Sequence, residues 1–132
     1  MQFKNPLVHG SLIKRYKRFL ADIKLDDGSI ITAHCTNSGS MKSCIEEGAE
    51  VYISDSMNPA RKTRYTWEMI VINGSWVGIN TSNPNKLAVE VLRNNLLPQL
   101  SGYTTIKPEA KYGDSRFDVY AENNHERCFI EV

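Results

Sequence analysis

The sequence lacks any long run of apolar residues. Of its 132 residues, 41% are hydrophobic, but the longest apolar stretches are only a few residues long. A membrane-spanning helix needs about 20 such residues in a row. Residues 1–8 also have no long apolar core like that of a signal peptide. We therefore expect a soluble, cytoplasmic protein.

Cysteine is scarce. The three cysteines, Cys35, Cys44 and Cys128, are an odd number and have no C-x-x-C spacing. This argues against both a disulfide framework and a four-ligand zinc site. We expect buried free thiols instead.

The chain has no surplus of charge of one sign, because 16 Lys and Arg residues face 15 Asp and Glu residues. The cations are nevertheless clustered beside aromatic residues. One cluster contains Lys14, Arg15, Lys17 and Arg18, and the other contains Arg61, Lys62 and Arg64. Proteins that bind single strands combine cations for phosphates with rings for bases. A charged edge strand that prevents aggregation has the same composition. The clusters therefore indicate either nucleic-acid binding or only a solvated edge.

The N-terminal part has the pattern of short strands. Apolar residues alternate with others over 19–25, and an Asp-Asp-Gly-Ser turn leads into a strand over 30–33. Three more strands are predicted, at 50–54, 64–72 and 76–79, the last two joined by a type I′ turn at Asn73-Gly74. Five short strands favour an OB-like β-barrel.

The pattern changes after residue 78. An apolar stripe that includes Val89, Leu92, Leu96 and Leu97 predicts a helix from Asn83 to just before Pro98. Strands are expected over 103–112, 116–120 and 128–132. We therefore predict an α+β chain with a barrel domain at 1–80 and a second domain, helix then three strands, at 81–132.

The last two strands predict a hairpin with two opposed acids. A two-residue turn at Asn124-His125, with Asn124 tolerating positive φ, would place Asp118 opposite Glu131. Like charges about 5 Å apart repel unless a hard cation such as Mg²⁺ lies between them. A one-residue slip or a longer loop would instead leave the two acids separate.

Four segments occur in order along nearly the whole chain. They are Arg18-Phe19, residues 33–39 (AHCTNSG), residues 77–81 (VGINT) with Pro84-Asn85, and residues 112–118 (YGDSRFD). With these segments the chain resembles the bacterial sugar fermentation stimulation protein family, SfsA. It departs from the family pattern at Thr36, where proline is usual, and at Ser40, where arginine is usual.

The resemblance implies an OB-like domain followed by a partial domain similar to the PD-(D/E)XK restriction-endonuclease-like nucleases. It implies DNA binding without sequence preference and a role in regulating sugar (maltose) metabolism. Asp118 and Glu131 match the catalytic positions, and a lysine would follow Val132, where this sequence ends. The C-terminal part of a family member would then be absent, so we expect the fragment to be inactive, and a Mg²⁺-dependent nuclease in the intact parent is the alternative that the resemblance leaves open.

Further residues are candidates for the predicted metal site and for the predicted DNA-binding surface. Glu109 and Glu90 are possible additional metal ligands, although Glu90 also suits a solvated helix face. In the polar loop over 34–42, backbone N–H groups, Asn37 and Lys42 could contact phosphate. His34 and Cys35 lack the partners that a zinc site needs.

Three functional classes remain open. The first is a DNA-binding protein whose intact parent carries a nuclease-like site, and the second is a non-catalytic interaction module in which the acids only stabilise the fold. A sugar-binding protein is suggested by the family's name alone. We also expect self-association through the edge formed by residues 129–132, unless helices cover that edge.

Overall fold

The computed structural model describes residues 1–132. They divide into two compact units, Gln2–Thr81 and Ser82–Val132, with Met1 assigned to the second unit. Neither contains a helix that is long and apolar enough to cross a membrane.

The first unit is a closed barrel. Its strands are β1 (Val8–Tyr16), β2 (Leu20–Leu25), β3 (Ile30–His34), β4 (Glu50–Asp55), β5 (Tyr65–Ile72) and β6 (Ser75–Gly78). The sheet order is β3-β2-β1-β4-β5-β6, and a short parallel pairing of β3 with β5 closes the first five strands into a ring. All other pairings are antiparallel. The predicted OB-like five-stranded barrel is confirmed.

Alternation of side chains forms the barrel core. Ala21 and Ile23 of β2 and Val51 and Ile53 of β4 point inward, and all four are fully buried. Trp67 on β5 is also fully buried, and its indole N–H donates to the Met69 carbonyl at 3.0 Å. Burying large apolar side chains is the main favourable contribution to folding, so these residues stabilise the ring.

The identity of the five barrel strands differs from the prediction. β1 was not predicted as a strand, whereas β6 pairs only with β5 and lies outside the ring. The inward side of β1 includes Gly10, where an added Cβ would lie 2.7 Å from both an Ile23 methyl group and the Lys24 carbonyl oxygen. This close approach requires glycine and removes the apolar residue that would have revealed the strand. The turn at Asn73-Gly74 has positive φ at both residues, as a type I′ turn requires.

The second unit packs one helix against a three-stranded sheet. It contains α1 (Asn83–Arg93), a short 3₁₀ helix (Pro98–Leu100), β7 (Thr105–Tyr112), β8 (Ser115–Glu122) and β9 (Arg127–Ile130). The sheet order is β7-β8-β9, so β7 and β9 are edge strands. Val89 and Leu92 of α1 and Val119 of β8 form its small buried core.

The helix ends earlier than predicted. The amides of Asn95 and Leu96 donate to the carbonyls of Leu92 and Val91, and Asn95 has a φ of 52°. These bonds form a Schellman motif, which satisfies the last carbonyls and stops the helix. Leu96 and Leu97, predicted on the apolar stripe, are exposed instead.

The predicted hairpin register is confirmed where the strands pair. Val119 faces Ile130, and Tyr120 faces Phe129. Asn124 and His125 form the turn, as predicted, with the Asn123 amide donating to the Glu126 carbonyl at 3.1 Å, but Asn124 does not have the expected positive φ. Instead, the Asn123 side-chain oxygen accepts hydrogen bonds from the amides of His125 and Glu126, at 2.8 and 2.9 Å. This side chain therefore holds the turn.

Candidate functional site

Two loops of the barrel face each other across an open cleft of about 300 Å³. The β1–β2 turn comprises residues 17–19, and the β4–β5 loop comprises residues 56–64. We call this feature the loop cleft, and its lining residues are Lys17, Phe19, Leu20, His34, Lys62 and Thr63. Three of them carry basic side chains and none is acidic. The structure thus brings one lysine from each predicted basic cluster to the same cleft.

The β1–β2 turn is held in an uncommon conformation. Lys17 and Arg18 have φ angles of 52° and 63°, in the left-handed region that side chains usually avoid. Arg15 supports this turn: its guanidinium donates to the Arg18 carbonyl at 2.8 and 3.1 Å and to the Asn37 carbonyl at 2.7 Å. Arg15, predicted to contact DNA, therefore already has intramolecular partners that fix the position of Lys17 and Arg18.

The β4–β5 loop is held at its base by a second arginine. Arg64 makes two parallel hydrogen bonds to the Asp55 carboxylate, at 2.6 and 2.7 Å. The hydrogen bond from Arg64 is the main reason that the pKa of Asp55 lies below its usual value. Within the loop, the Asn58 side chain accepts a bond from the Ala60 amide at 3.0 Å. The loop is thus ordered by its own contacts, and Arg64 is occupied by them.

The other predicted DNA contacts are more dispersed. Lys14 lies over the Tyr16 ring, 5.3 Å from its centroid. Arg61 and Lys42 are exposed and have no ion pair. The Asn37 side chain accepts a bond from the Gly39 amide at 2.9 Å, which orders the polar loop. Cys35 in the same loop is buried, as predicted, whereas Cys44 and Cys128, also expected to be buried, are only partly buried.

Thr36, a departure from the family pattern, takes part in a network that proline could not form. Its hydroxyl donates to the Asn80 side-chain oxygen at 3.1 Å and accepts from the Thr81 amide at 3.0 Å. The Asn80 amide in turn donates at 2.8 Å to Glu68, a buried acid on β5. This network ties the polar loop to the end of the barrel unit, and sequence patterns did not reveal it.

In the second unit, Asp118 of β8 is the most constrained of the predicted acids. One carboxylate oxygen accepts from the Asn85 side chain of α1 and the other from the Val132 amide, both at 2.9 Å. The Val132 bond and then the Asn85 bond lower the pKa of Asp118, and a side-chain hydrogen bond with Glu131 acts in the same direction against desolvation. The Val132 bond and the pairing of Val119 with Ile130 place Glu131 next to Asp118.

The other two predicted ligands point to different partners. Glu109 has a φ of 55° within β7, and its carboxylate pairs with Arg116 at 2.5 Å. Glu90 pairs with the N-terminal amine of Met1. No group of three or more His, Cys, Asp or Glu side chains is placed to hold a metal ion. The structure brings Asp118 and Glu131 together, and a site of four acids stays a prediction.

Sequence reasoning did not identify three roles. It did not assign Asn85 to the Asp118 carboxylate, nor His34 to the loop cleft. Arg15 and Arg64 were read as ligand contacts and not as loop supports. The Asn85 bond and the Arg15 bond to Asn37 join distant segments, whereas Arg64 bonds to Asp55 across one loop, and only the position of Asn85 beside a matched motif gave a signal.

Two family models match the chain. The SfsA N-terminal OB domain matches residues 13–79, and the sugar fermentation stimulation protein RE domain matches residues 82–132. In the solved structures, Pyrococcus furiosus SfsA in complex with Ca²⁺ superposes with a TM-score of 0.82 at 27% identity, covering 98% of this chain and 55% of that one.

Several relatives are similar over the whole of this chain. A sugar fermentation stimulation protein homolog from Geobacter metallireducens is 49% identical over 134 residues, and one from Rhodospirillum rubrum is 46% identical over 141 residues. Each comparison covers 100% of this chain and 58% of the relative, so the chain spans little more than half of their length. The chain therefore belongs to the SfsA, or sugar fermentation stimulation protein, family, as its sequence motifs indicated.

Proposed function

We propose that the barrel binds DNA without sequence preference, through the loop cleft and the exposed cations beside it. The main support for this proposal is that Lys17 and Lys62 line the same cleft, and that no acidic residue lines it. Loops at these positions are the ligand-binding surface of many OB-folds.

The charges at this surface are available for phosphate. Lys17, Arg18, Arg61 and Lys62 have no ion pair within the chain, and all four are exposed. Lysine and arginine that neutralise phosphates release condensed counterions, which supplies most of non-specific affinity. Phosphate contacts carry no base information, so binding would be similar for unrelated sequences. A regulatory role in sugar metabolism, suggested by the name of the relatives, would then act through DNA.

The test is binding of a labelled DNA at several salt concentrations. Replacing Lys17 and Lys62 together by alanine should weaken binding and reduce the slope of log K against log salt by about two. Lys107→Ala with Lys111→Ala is the matched control, because it removes the same charge from exposed positions on β7. Equal losses in the two double variants, or wild-type binding by the cleft variant, would contradict the proposal.

A second candidate function is divalent cation binding at Asp118 and Glu131. Two adjacent carboxylates, one with a lowered pKa, are hard anionic ligands of the kind that Mg²⁺ and Ca²⁺ prefer. Pyrococcus furiosus SfsA was solved with Ca²⁺. A cation takes about six to eight oxygen ligands, so these two acids would supply only part of the coordination.

Calorimetry with Mn²⁺ and Ca²⁺ tests the cation proposal directly. Asp118→Asn keeps the shape of the side chain but removes its charge, so cation affinity should fall at least about tenfold. Glu126→Gln, an exposed acid at the other end of the hairpin, is the control. Unchanged affinity in Asp118→Asn would leave the interaction-module alternative, in which these acids only stabilise the fold.

Nuclease activity of the whole protein needs a separate test. If the whole protein cleaves DNA, the full-length Asp118→Ala variant should lose that cleavage.

A further inference from the structure

The loop cleft contains an exposed aromatic ring between its cations. Phe19 is 50% exposed and is not part of the barrel core. Its backbone is fixed, because its carbonyl accepts a hydrogen bond from the Cys35 amide at 2.8 Å. Because this exposed phenyl ring lines the cleft together with Lys17 and Lys62, the cleft offers both an apolar face and positive charges, which suits a ligand with an apolar face and negative charges.

The surroundings of Phe19 specify that ligand further. Lys17 precedes it by two residues in the same turn, Lys62 approaches from the β4–β5 loop, and the His34 imidazole lies in the lining. The cleft of about 300 Å³ is at the small end of ligand-binding pockets. A flat base with flanking phosphates combines a ring face with two negative charges, and it matches this arrangement.

We propose that the loop cleft binds an unstacked base of single-stranded DNA. The Phe19 ring stacks on the base, and Lys17 and Lys62 contact the phosphates on either side. This inference rests on the proposed DNA binding and names its substrate class. In a duplex, bases are stacked on one another and their faces are hidden, so a duplex offers phosphates to the lysines but nothing to Phe19. A single strand offers both.

The experiment compares three ligands of equal length by fluorescence anisotropy at one salt concentration. They are an oligothymidylate of about 12 nucleotides, within the length that one OB-fold covers, its duplex with oligoadenylate, and an abasic strand with the same phosphates. The single strand should bind at least about tenfold more tightly than either of the others. Equal or tighter binding of the duplex, or of the abasic strand, overturns the inference.

Variants separate the ring from the charges. Phe19→Ala should weaken single-strand binding about tenfold and leave duplex binding unchanged. Trp76→Ala is the matched control, because Trp76 is 54% exposed but does not line the cleft. Circular dichroism and the fluorescence of buried Trp67 verify that the Phe19 variant folds.

The outcomes distinguish this inference from the proposed function. If Phe19→Ala has no effect while Lys17→Ala and Lys62→Ala weaken binding of every DNA, the substrate class is wrong and the DNA-binding proposal stands. If neither single strand nor duplex binds to the wild type, both are wrong. If Phe19→Ala and Trp76→Ala weaken single-strand binding equally, the base does not lie in the loop cleft.

Discussion

Among single residues, His9 has the clearest link between charge and structure. Its Nδ1 lies 2.6 Å from an Asp26 oxygen, and its Nε2 lies 2.9 Å from a Glu50 oxygen. A neutral imidazole has only one N–H, so it can donate to only one of these carboxylates. Both bonds require the imidazolium form. The hydrogen bond with Asp26 is the largest cause that raises the pKa of His9, with Glu50 adding to it and desolvation opposing it.

We expect His9 to make barrel stability depend on pH near neutrality. Because the folded-state pKa is raised above its ordinary value of 6.5, the stabilisation is fully present below that pH and is lost as pH rises through the folded-state value. His9→Gln should remove this dependence and lower stability by about 1 kcal/mol at pH 5.5, since the pairs are partly exposed. Urea unfolding at pH 5.5 and 8.5 measures both effects. A stability difference between the two pH values that survives in His9→Gln would assign the titration elsewhere.

Glu68 is an acidic residue with a structural role, because it is buried in the barrel unit. It is only 4% exposed, and it accepts hydrogen bonds from the Ser54 hydroxyl at 2.7 Å and the Asn80 amide at 2.8 Å. Glu68→Ala would leave these donors without that acceptor, which we expect to cost about 1–3 kcal/mol of unfolding free energy. Denaturant unfolding measures the loss. Glu47→Ala, at an exposed site, should change stability by less than about 0.5 kcal/mol, and equal losses would contradict the role assigned to Glu68.

Among the structural elements, the β1–β2 turn depends on a side chain outside it. Arg15→Lys keeps the positive charge but cannot reproduce the fork of donors to the Arg18 and Asn37 carbonyls. The turn should become more mobile, and DNA affinity should fall about threefold to tenfold because ordering is then required on binding. Arg93→Lys is the control, since Arg93 is exposed, does not line the loop cleft and also keeps a positive charge when it is replaced by lysine. Similar affinities for both variants would mean that Arg15 contributes only charge.

Sequence patterns predicted those elements whose periodicity is local. The alternation of residues 20–25, the Asn73-Gly74 turn and the register of β8 with β9 were all predicted, because each depends on neighbours in the chain. β1 was not predicted, because Gly10 replaces an inward apolar side chain where two strands approach closely. The end of α1 was placed at Pro98, because the asparagine-based Schellman motif at Asn95 has a weaker sequence signal than proline.

For the site, composition predicted the charges but not their partners. The two basic clusters are evident in the sequence, and Lys17 and Lys62 do meet in the loop cleft. The sequence could not predict which cations are available to bind phosphate. Arg15 is bonded to the Arg18 and Asn37 carbonyls, and Arg64 is bonded to Asp55. The positions of these partners depend on the exact conformations of the β1–β2 turn and the β4–β5 loop, which composition does not specify. The nearness of Asp118 and Glu131 continues the predicted pairing of Val119 with Ile130, and their role as metal ligands stays a prediction.

At the scale of the whole molecule, the two units have buried cores of very different size. The barrel core includes Trp67 and ten other buried residues, whereas the helix–sheet core has three, Val89, Leu92 and Val119. Apolar burial is the main favourable contribution to stability, so the second unit should unfold first. Both tryptophans lie in the first unit, Trp67 in the barrel core and Trp76 on β6, and the α-helix lies in the second unit. On heating, the circular dichroism signal of the helix at 222 nm should therefore be lost at a lower temperature than the one at which tryptophan fluorescence changes. Two transitions at the same temperature would contradict this order of unfolding.

The ring of the barrel is joined at one place by only two residue pairs, Ala33 with Tyr65 and His34 with Thr66. A junction of so few bonds is where the closed ring should open transiently, and its amides should exchange hydrogen with solvent sooner than those of the antiparallel ladders. His34 belongs both to this junction and to the loop cleft. We therefore expect a molecule bound between the two loops to favour the closed ring. Binding in the cleft and closure of the barrel are then coupled, so that a bound ligand stabilises the closed ring against opening at the β3–β5 junction.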